Sequence, residues 1–95
     1  MAQVRLYGSF RRHVDEWQRE IDAPTVGDAL RALTENNPAL HDALFVSAVP
    51  DAGCEVLRPF VRVIVNGRDV ALGDCLATPL EARDEVSVFS PIAGG

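Results

Sequence analysis

The sequence predicts an α+β domain in which a mixed sheet of four to five strands carries one main helix on one face, and three observations predict it. Apolar and polar residues alternate near both ends of the chain, over residues 3–10 and again over 86–89, the period-two signature of half-buried strands. Between them Val26, Ala29, Leu30 and Leu33 recur at i, i+3, i+4 and i+7, a single apolar stripe that a helix must lay on something. The dipeptide Asn66-Gly67 follows an apolar run at 60–65 and signals a hairpin, because both residues tolerate positive φ.

Taken in order, the first strand points Val4 and Leu6 one way and Arg5 and Tyr7 the other, and Gly8-Ser9 forms a bulge or an exit. Arg11-Arg12-His13-Val14-Asp15 reads as a solvated connection rather than a phosphate site. Residues 16–21 form an edge strand in a hairpin with the first, with Trp17 and Ile21 on one face and Arg19 sharing it awkwardly. Asp22-Ala23-Pro24-Thr25 breaks this strand. The Thr25 hydroxyl caps the following helix, and Asp28 adds negative charge where the helix dipole favours it. Arg31 and Glu35 face solvent at i, i+4 spacing. Asn36-Asn37-Pro38 ends the helix, since proline disfavours helical geometry in the residue before it, and Pro38 starts a short second helix that buries Leu40, Leu44 and Phe45. A long loop is expected over 49–59, a strand over 60–65 and a short return strand over 68–72. Residues 73–80 turn so as to tuck Leu76 and Leu80 under the sheet, and 82–84 lead into the last strand. A hairpin, a crossing helix and returning strands make the first and last strands parallel neighbours in the middle of the sheet, which is the β-grasp layout.

Ninety-five residues make one domain, able to bury roughly 60 to 65% of the unfolded chain's surface. The net charge of -5 argues against nonspecific nucleic-acid binding, which needs a basic surface, and favours a basic protein partner. All nine basic side chains are arginines, so the chain has no ε-amine and cannot be a lysine-linked acceptor for another copy of itself. The N-terminal residues lack the apolar run of a signal peptide and no stretch has the length of a membrane span, so a cytoplasmic protein without a membrane partner is expected. Cys54 and Cys75 are expected as free thiols, with Cys75 a small packed residue rather than a nucleophile. His13 and His41 stand apart from other ligand-type residues, and no metal site is expected.

Without side-chain machinery for chemistry, attention falls on the end of the chain. Residues 1–89 form the expected body and 90–95 a flexible tail, Ser90-Pro91-Ile92-Ala93-Gly94-Gly95. Two glycines remove the side chains beside the terminal carboxylate, so this backbone can enter a channel too narrow for a Cβ, and Pro91 stiffens the approach. Extended, six residues reach about 20 Å, enough to carry the carboxylate from the body into a partner's active site.

With Thr25-Val26-Gly27-Asp28-Ala29-Leu30, Val65-Asn66-Gly67, Asp84-Glu85-Val86 and Phe89-Ser90-Pro91-Ile92-Ala93-Gly94-Gly95, the chain resembles the small ubiquitin-like sulfur carriers over nearly its whole length. That family includes the molybdopterin-synthase small subunit and the thiamine-pathway sulfur carrier. From Phe60 onward the chain is also similar to the carriers of a cysteine-forming pathway. Many members have two prolines after the phenylalanine; here Ser90 replaces the first. The resemblance implies a ubiquitin-like β-grasp fold and a defined chemistry. A ubiquitin-activating-type enzyme uses ATP to adenylate the Gly95 carboxylate, next to Gly94, and sulfur then replaces the adenylate to give a thiocarboxylate. A sulfur-accepting synthase takes that sulfur for molybdopterin, cysteine or another metabolite. The carrier binds no cofactor and is a protein co-substrate rather than a catalyst, whether free or as the small subunit of a synthase such as molybdopterin synthase. A second function shares the activation step: a modifier joined through Gly95 to target lysines. A third, a β-grasp binding module with an incidental diglycine end, needs no activation.

If Val61, Val63, Val65, Val86 and Val88 point into the core, Phe60, Ile64 and Phe89 point out, beside Tyr7 and Arg62. Phe60, Arg62, Ile64 and Phe89 are then the expected docking residues, continued into the tail by Pro91, Ile92 and Ala93. The alternative is that the loop at 46–59 folds over this face.

Overall fold

The structure, a computed structural model, describes residues 1–46, 57–58 and 60–90. Most of the loop expected at 49–59, and the tail beyond Ser90, lie outside the described residues. Among the described residues the fold is carried by β1 (Ala2–Leu6), β2 (Gln18–Ile21), α1 (Val26–Thr34), α2 (Pro38–Leu44), β3 (Arg62–Val65), β4 (Arg68–Asp69) and β5 (Glu85–Phe89). Short 3-10 turns occupy Gly8–His13, Val70–Leu72 and Cys75–Ala77. The sheet order is β2-β1-β5-β3-β4, with β1 and β5 parallel at the centre and the remaining pairs antiparallel. This is the β-grasp layout expected from the element order.

The helix forms where its periodicity placed it. The Thr25 hydroxyl accepts the Asp28 N–H at 3.2 Å, and Val26, Ala29, Leu30 and Leu33 are buried. Arg31 pairs with Asp28 at 3.4 Å, one turn back, and Glu35 lies past the helix end. The α1 stripe meets the inward residues of the sheet, Val4, Leu6, Val63, Val86 and Val88, in one continuous core that α2 closes with Leu40 and Leu44. Gly27 permits the close approach of the Cys75–Ala77 turn: a Cβ there would stand 3.0 Å from the Leu76 carbonyl oxygen.

Each of the first four strands is shorter than expected, β1 and β4 most of all. β1 stops at Leu6 rather than running to residue 10, because Gly8 adopts φ +63 and turns the chain into the 3-10 segment that buries Phe10. Phe10 continues the alternating pattern yet reaches the core from that turn. β4 ends at Asp69 because its carboxylate accepts the Ala71 N–H at 2.9 Å, drawing residues 70–72 out of the ladder while Val70 stays buried. The hairpin between β3 and β4 has φ 51 at Asn66 and 88 at Gly67, both positive, as a type I′ turn requires. Among the described residues, no helix is long and apolar enough to cross a membrane.

Candidate docking face and tail exit

One face of the sheet carries the helices; among the described residues no helix packs on the other, called the open face here, and most of the loop at 46–59 that was the alternative cover lies outside the described residues. The open face is built in rows by strand register. Nearest the start of the tail, Arg62 stands opposite Phe89, and the Tyr7 N–H donates to the Val88 carbonyl at 2.9 Å, continuing β1 beside β5. The next row holds Gln18, Arg5, Ser87, Ile64 and Asp69. The third holds Glu20, Gln3 and Glu85. Arg62 is exposed, while Ile64 and Phe89 are half-buried. The Arg5 guanidinium donates to the Gln3 side chain at 3.0 Å and lies 3.5 Å from the Glu85 carboxylate; its Nε is buried with no partner among the described residues.

An aromatic corner adjoins the first row. Tyr7 and Trp17, 36% and 39% exposed, have ring centroids 6.4 Å apart, and the Arg11 guanidinium sits 4.7 Å over the Trp17 ring. Sequence reasoning placed Trp17 on a strand; it precedes β2, and its carbonyl accepts the Leu6 N–H at 2.7 Å. Phe60 does not join the open face as a strand residue. It precedes β3 in a turn where the Val61 N–H donates to the Arg58 carbonyl at 2.9 Å, and it packs half-buried against the core, so the alternation that set it beside Ile64 does not reach it. Pro91, Ile92, Ala93, Gly94 and Gly95 lie outside the described residues.

β5 leads to the tail. It is the central strand, paired with β1 along one side and β3 along the other, and it runs directly into Ser90. Its opposite end is fixed by a polar knot. The Asn66 amide donates to the Asp84 carboxylate at 2.9 Å and accepts the Glu85 N–H at 2.9 Å, the Asn66 N–H donates to the Glu85 carbonyl at 2.9 Å, and the Glu81 N–H donates to Asp84 at 2.8 Å. The Glu81 N–H, and then the Asn66 amide, hold the Asp84 carboxyl below the usual carboxylate range. Asn66 and Asp84 were legible only as separate motif positions; the contact joins them across 18 residues.

Cys75 is disulfide-bonded, which corrects the expectation of a free thiol; the chain's other cysteine, Cys54, lies outside the described residues. A pairing depends on how the fold brings two Cα atoms together, which sequence separation does not reveal. Among the described residues, no group of three or more His, Cys, Asp or Glu side chains is placed to hold a metal ion. His41 instead packs on Phe45 with centroids 5.0 Å apart. What this face offers is a surface and an exit: apolar and aromatic residues flanked by guanidiniums, where the central strand leaves the sheet.

The model described as the ThiS family matches residues 4–95. The small archaeal modifier protein 3 of Haloferax volcanii is 39% identical over 97 residues, covering 98% of this chain and 97% of that protein. The solution structure of the small archaeal modifier protein 1 of Methanosarcina acetivorans superposes with a TM-score of 0.83 at 24% identity, covering 99% of this chain and 95% of that one. A chain of the BexX/CysO complex of Amycolatopsis orientalis gives a TM-score of 0.77 at 22% identity over 100% of both. At these identities the structural likenesses establish the fold.

Proposed function

The chain belongs to the ThiS family of ubiquitin-like sulfur carriers and modifiers, and from that premise we propose that its chemistry is carried by the carboxylate of Gly95. The observation that supports this most is the position of β5. A strand held on both sides at the centre of the sheet is a rigid mount, and it leads directly into Ser90, which the diglycine follows in the sequence.

A free carboxylate is a poor electrophile. An adenylating enzyme converts it to an acyl adenylate when a Gly95 carboxylate oxygen attacks the α-phosphorus of ATP and pyrophosphate leaves. A sulfur nucleophile then adds to the acyl carbon and AMP leaves, so that a thiocarboxylate stands where the carboxylate was. An acceptor synthase takes the sulfur, and water restores the carboxylate. Tyr7, Arg62, Ile64 and Phe89 supply the docking contacts, and Pro91, Ile92 and Ala93 thread toward the partner's active site. The chain is a co-substrate in this cycle, and ATP is bound by the enzyme that activates it.

Removing Gly95 tests the reading. Sulfur transfer to the acceptor should be lost while the circular dichroism spectrum is unchanged; transfer retained by the truncated protein refutes it. The second reading, a modifier joined to target lysines, is favoured by the name of the 39% identical relative. Conjugates of higher mass on a denaturing gel, lost with Gly95, would support it, and both activities are compatible with one activated terminus.

A further inference from the structure

Asn66-Gly67 carries a chemical liability as well as a turn. The side-chain carbonyl of an asparagine is open to attack by the backbone nitrogen of the next residue, and a glycine there hinders least because it has no Cβ. The other asparagines of the chain are poorly placed for this reaction. Asn37 precedes Pro38, whose nitrogen bears no hydrogen, and Asn36 precedes Asn37, whose side chain crowds the nitrogen. Asn66 and Gly67 are both exposed at the hairpin, and the space where a Gly67 Cβ would stand is open.

The fold works against the same reaction. With φ 51 at Asn66 and 88 at Gly67, the type I′ turn carries the Gly67 nitrogen away from the Asn66 Cβ, whereas ring closure needs the two on one side. The side chain is tied by both of its polar atoms. Its amide donates to the Asp84 carboxylate at 2.9 Å, and its oxygen accepts the Glu85 N–H at 2.9 Å. The Asn66 N–H donates to the Glu85 carbonyl at 2.9 Å, so the turn cannot rearrange without leaving β5. The Glu85 N–H polarises the side-chain carbonyl, which alone would favour attack, but that help comes only after the turn has opened and the Asp84 bond is lost. Asp84 also holds the nitrogen that has to leave, and its negative charge disfavours the anionic tetrahedral intermediate.

We propose that Asn66 is a site of spontaneous deamidation in this chain, restrained by the hairpin and by Asp84, and that the product unlocks the hairpin from the foot of β5. The Gly67 nitrogen forms a bond to the Asn66 Cγ and gives its proton to solvent, the Cγ–Nδ2 bond breaks, and ammonia leaves, so that residues 66 and 67 share a succinimide ring. Water then opens the ring at either carbonyl, giving aspartate or isoaspartate. No oxidant or reductant takes part. Aspartate at this position sets a carboxylate where an amide had donated to Asp84 at 2.9 Å, and like charges that close repel. Isoaspartate also lengthens the backbone and spoils the turn.

The test is incubation of the full chain in mildly alkaline buffer, with deamidation located by peptide mass mapping and isoaspartate counted by enzymatic methylation. Product should accumulate at Asn66 rather than at Asn36 or Asn37, and more slowly in the folded chain than in urea. At a temperature where circular dichroism shows both proteins folded, Asp84→Ala should speed it about tenfold, the worth of one hydrogen bond to a charged group. Asp84→Asn, which keeps an acceptor without the charge, should speed it by a smaller factor. Asn66→Asp should lower the melting temperature by about 5 °C or more at neutral pH, the gap narrowing as acid protonates one carboxylate, and adding Asp84→Asn to that variant should restore most of the loss. No product at Asn66 in either the folded wild type or Asp84→Ala overturns the site. Equal rates in the folded and unfolded chain, or in the wild type and both Asp84 variants, overturn the restraint, and an unchanged melting temperature in Asn66→Asp overturns the unlocking.

Discussion

Replacing Gly27 by alanine sets two opposed effects against each other, and the structure decides between them. Alanine is the better helix former by about 1 kcal/mol in a helix interior, and by less in the first turn where Gly27 sits. The added Cβ, however, would stand 3.0 Å from the Leu76 carbonyl oxygen and 3.2 Å from the Leu76 Cβ. Relief requires that turn to move, and it is held on several sides. The Ala77 N–H donates to the Asp74 carbonyl at 2.9 Å, and the Val26 N–H donates to the Thr78 carbonyl at 3.0 Å. Cys75 is disulfide-bonded, and the Leu76 side chain is in the core. Overpacking against such a wall costs about 1 to 3 kcal/mol, which outweighs the helix gain, so the net effect is a destabilisation of roughly 0.5 to 2 kcal/mol. For a domain of this size that lowers the melting temperature by roughly 4 to 8 °C per kcal/mol. Urea denaturation followed by circular dichroism measures it. A variant more stable than the wild type would show that the turn yields, and would refute the close-approach account of Gly27.

Two further predictions concern the ends of β5. The Asp84 carboxyl is held below its ordinary range in the folded state, so its contribution to stability is fully present above the unfolded value of about 3.9 and is lost as pH falls through the lowered folded value. Asp84→Ala should therefore be less stable than the wild type at neutral pH, with the gap narrowing below about pH 4; a gap that does not change with pH would refute the knot's electrostatic role. At the other end, Phe89→Asp should weaken binding to the activating enzyme by about tenfold or more while the fold survives, and an unchanged affinity of a folded variant in a titration would remove Phe89 from the docking face.

The periodic and locally capped parts of the fold were legible in the sequence because their causes are local. Thr25 and Asp28 mark the start of α1 within a single turn, Asn66-Gly67 marks its hairpin, and Val4, Leu6, Val86 and Val88 declare two strands by alternation. What was missed depends on non-local placement. Phe10 looked like the end of a strand because burial from a 3-10 turn has the same one-residue signature as burial from a strand. Arg19 fitted its strand poorly in sequence, and in the fold an edge strand lets it stand beside a groove near Leu33. The Asn66–Asp84 contact and the Cys75 disulfide depend on chain crossings that no local pattern records. Of the expected docking residues, Ile64, Arg62 and Phe89 share the open face because each lies within a strand, whereas Phe60 precedes β3 and turns to the core.

The most direct test of the central claim is the intact mass of the full chain after incubation with ATP, a sulfur source and the adenylating enzyme of the same organism. The account predicts a gain equal to the exchange of one oxygen for one sulfur, absent when Gly95 is removed. An unchanged mass with an enzyme shown to be active on another carrier, or a gain that survives the loss of Gly95, would contradict it.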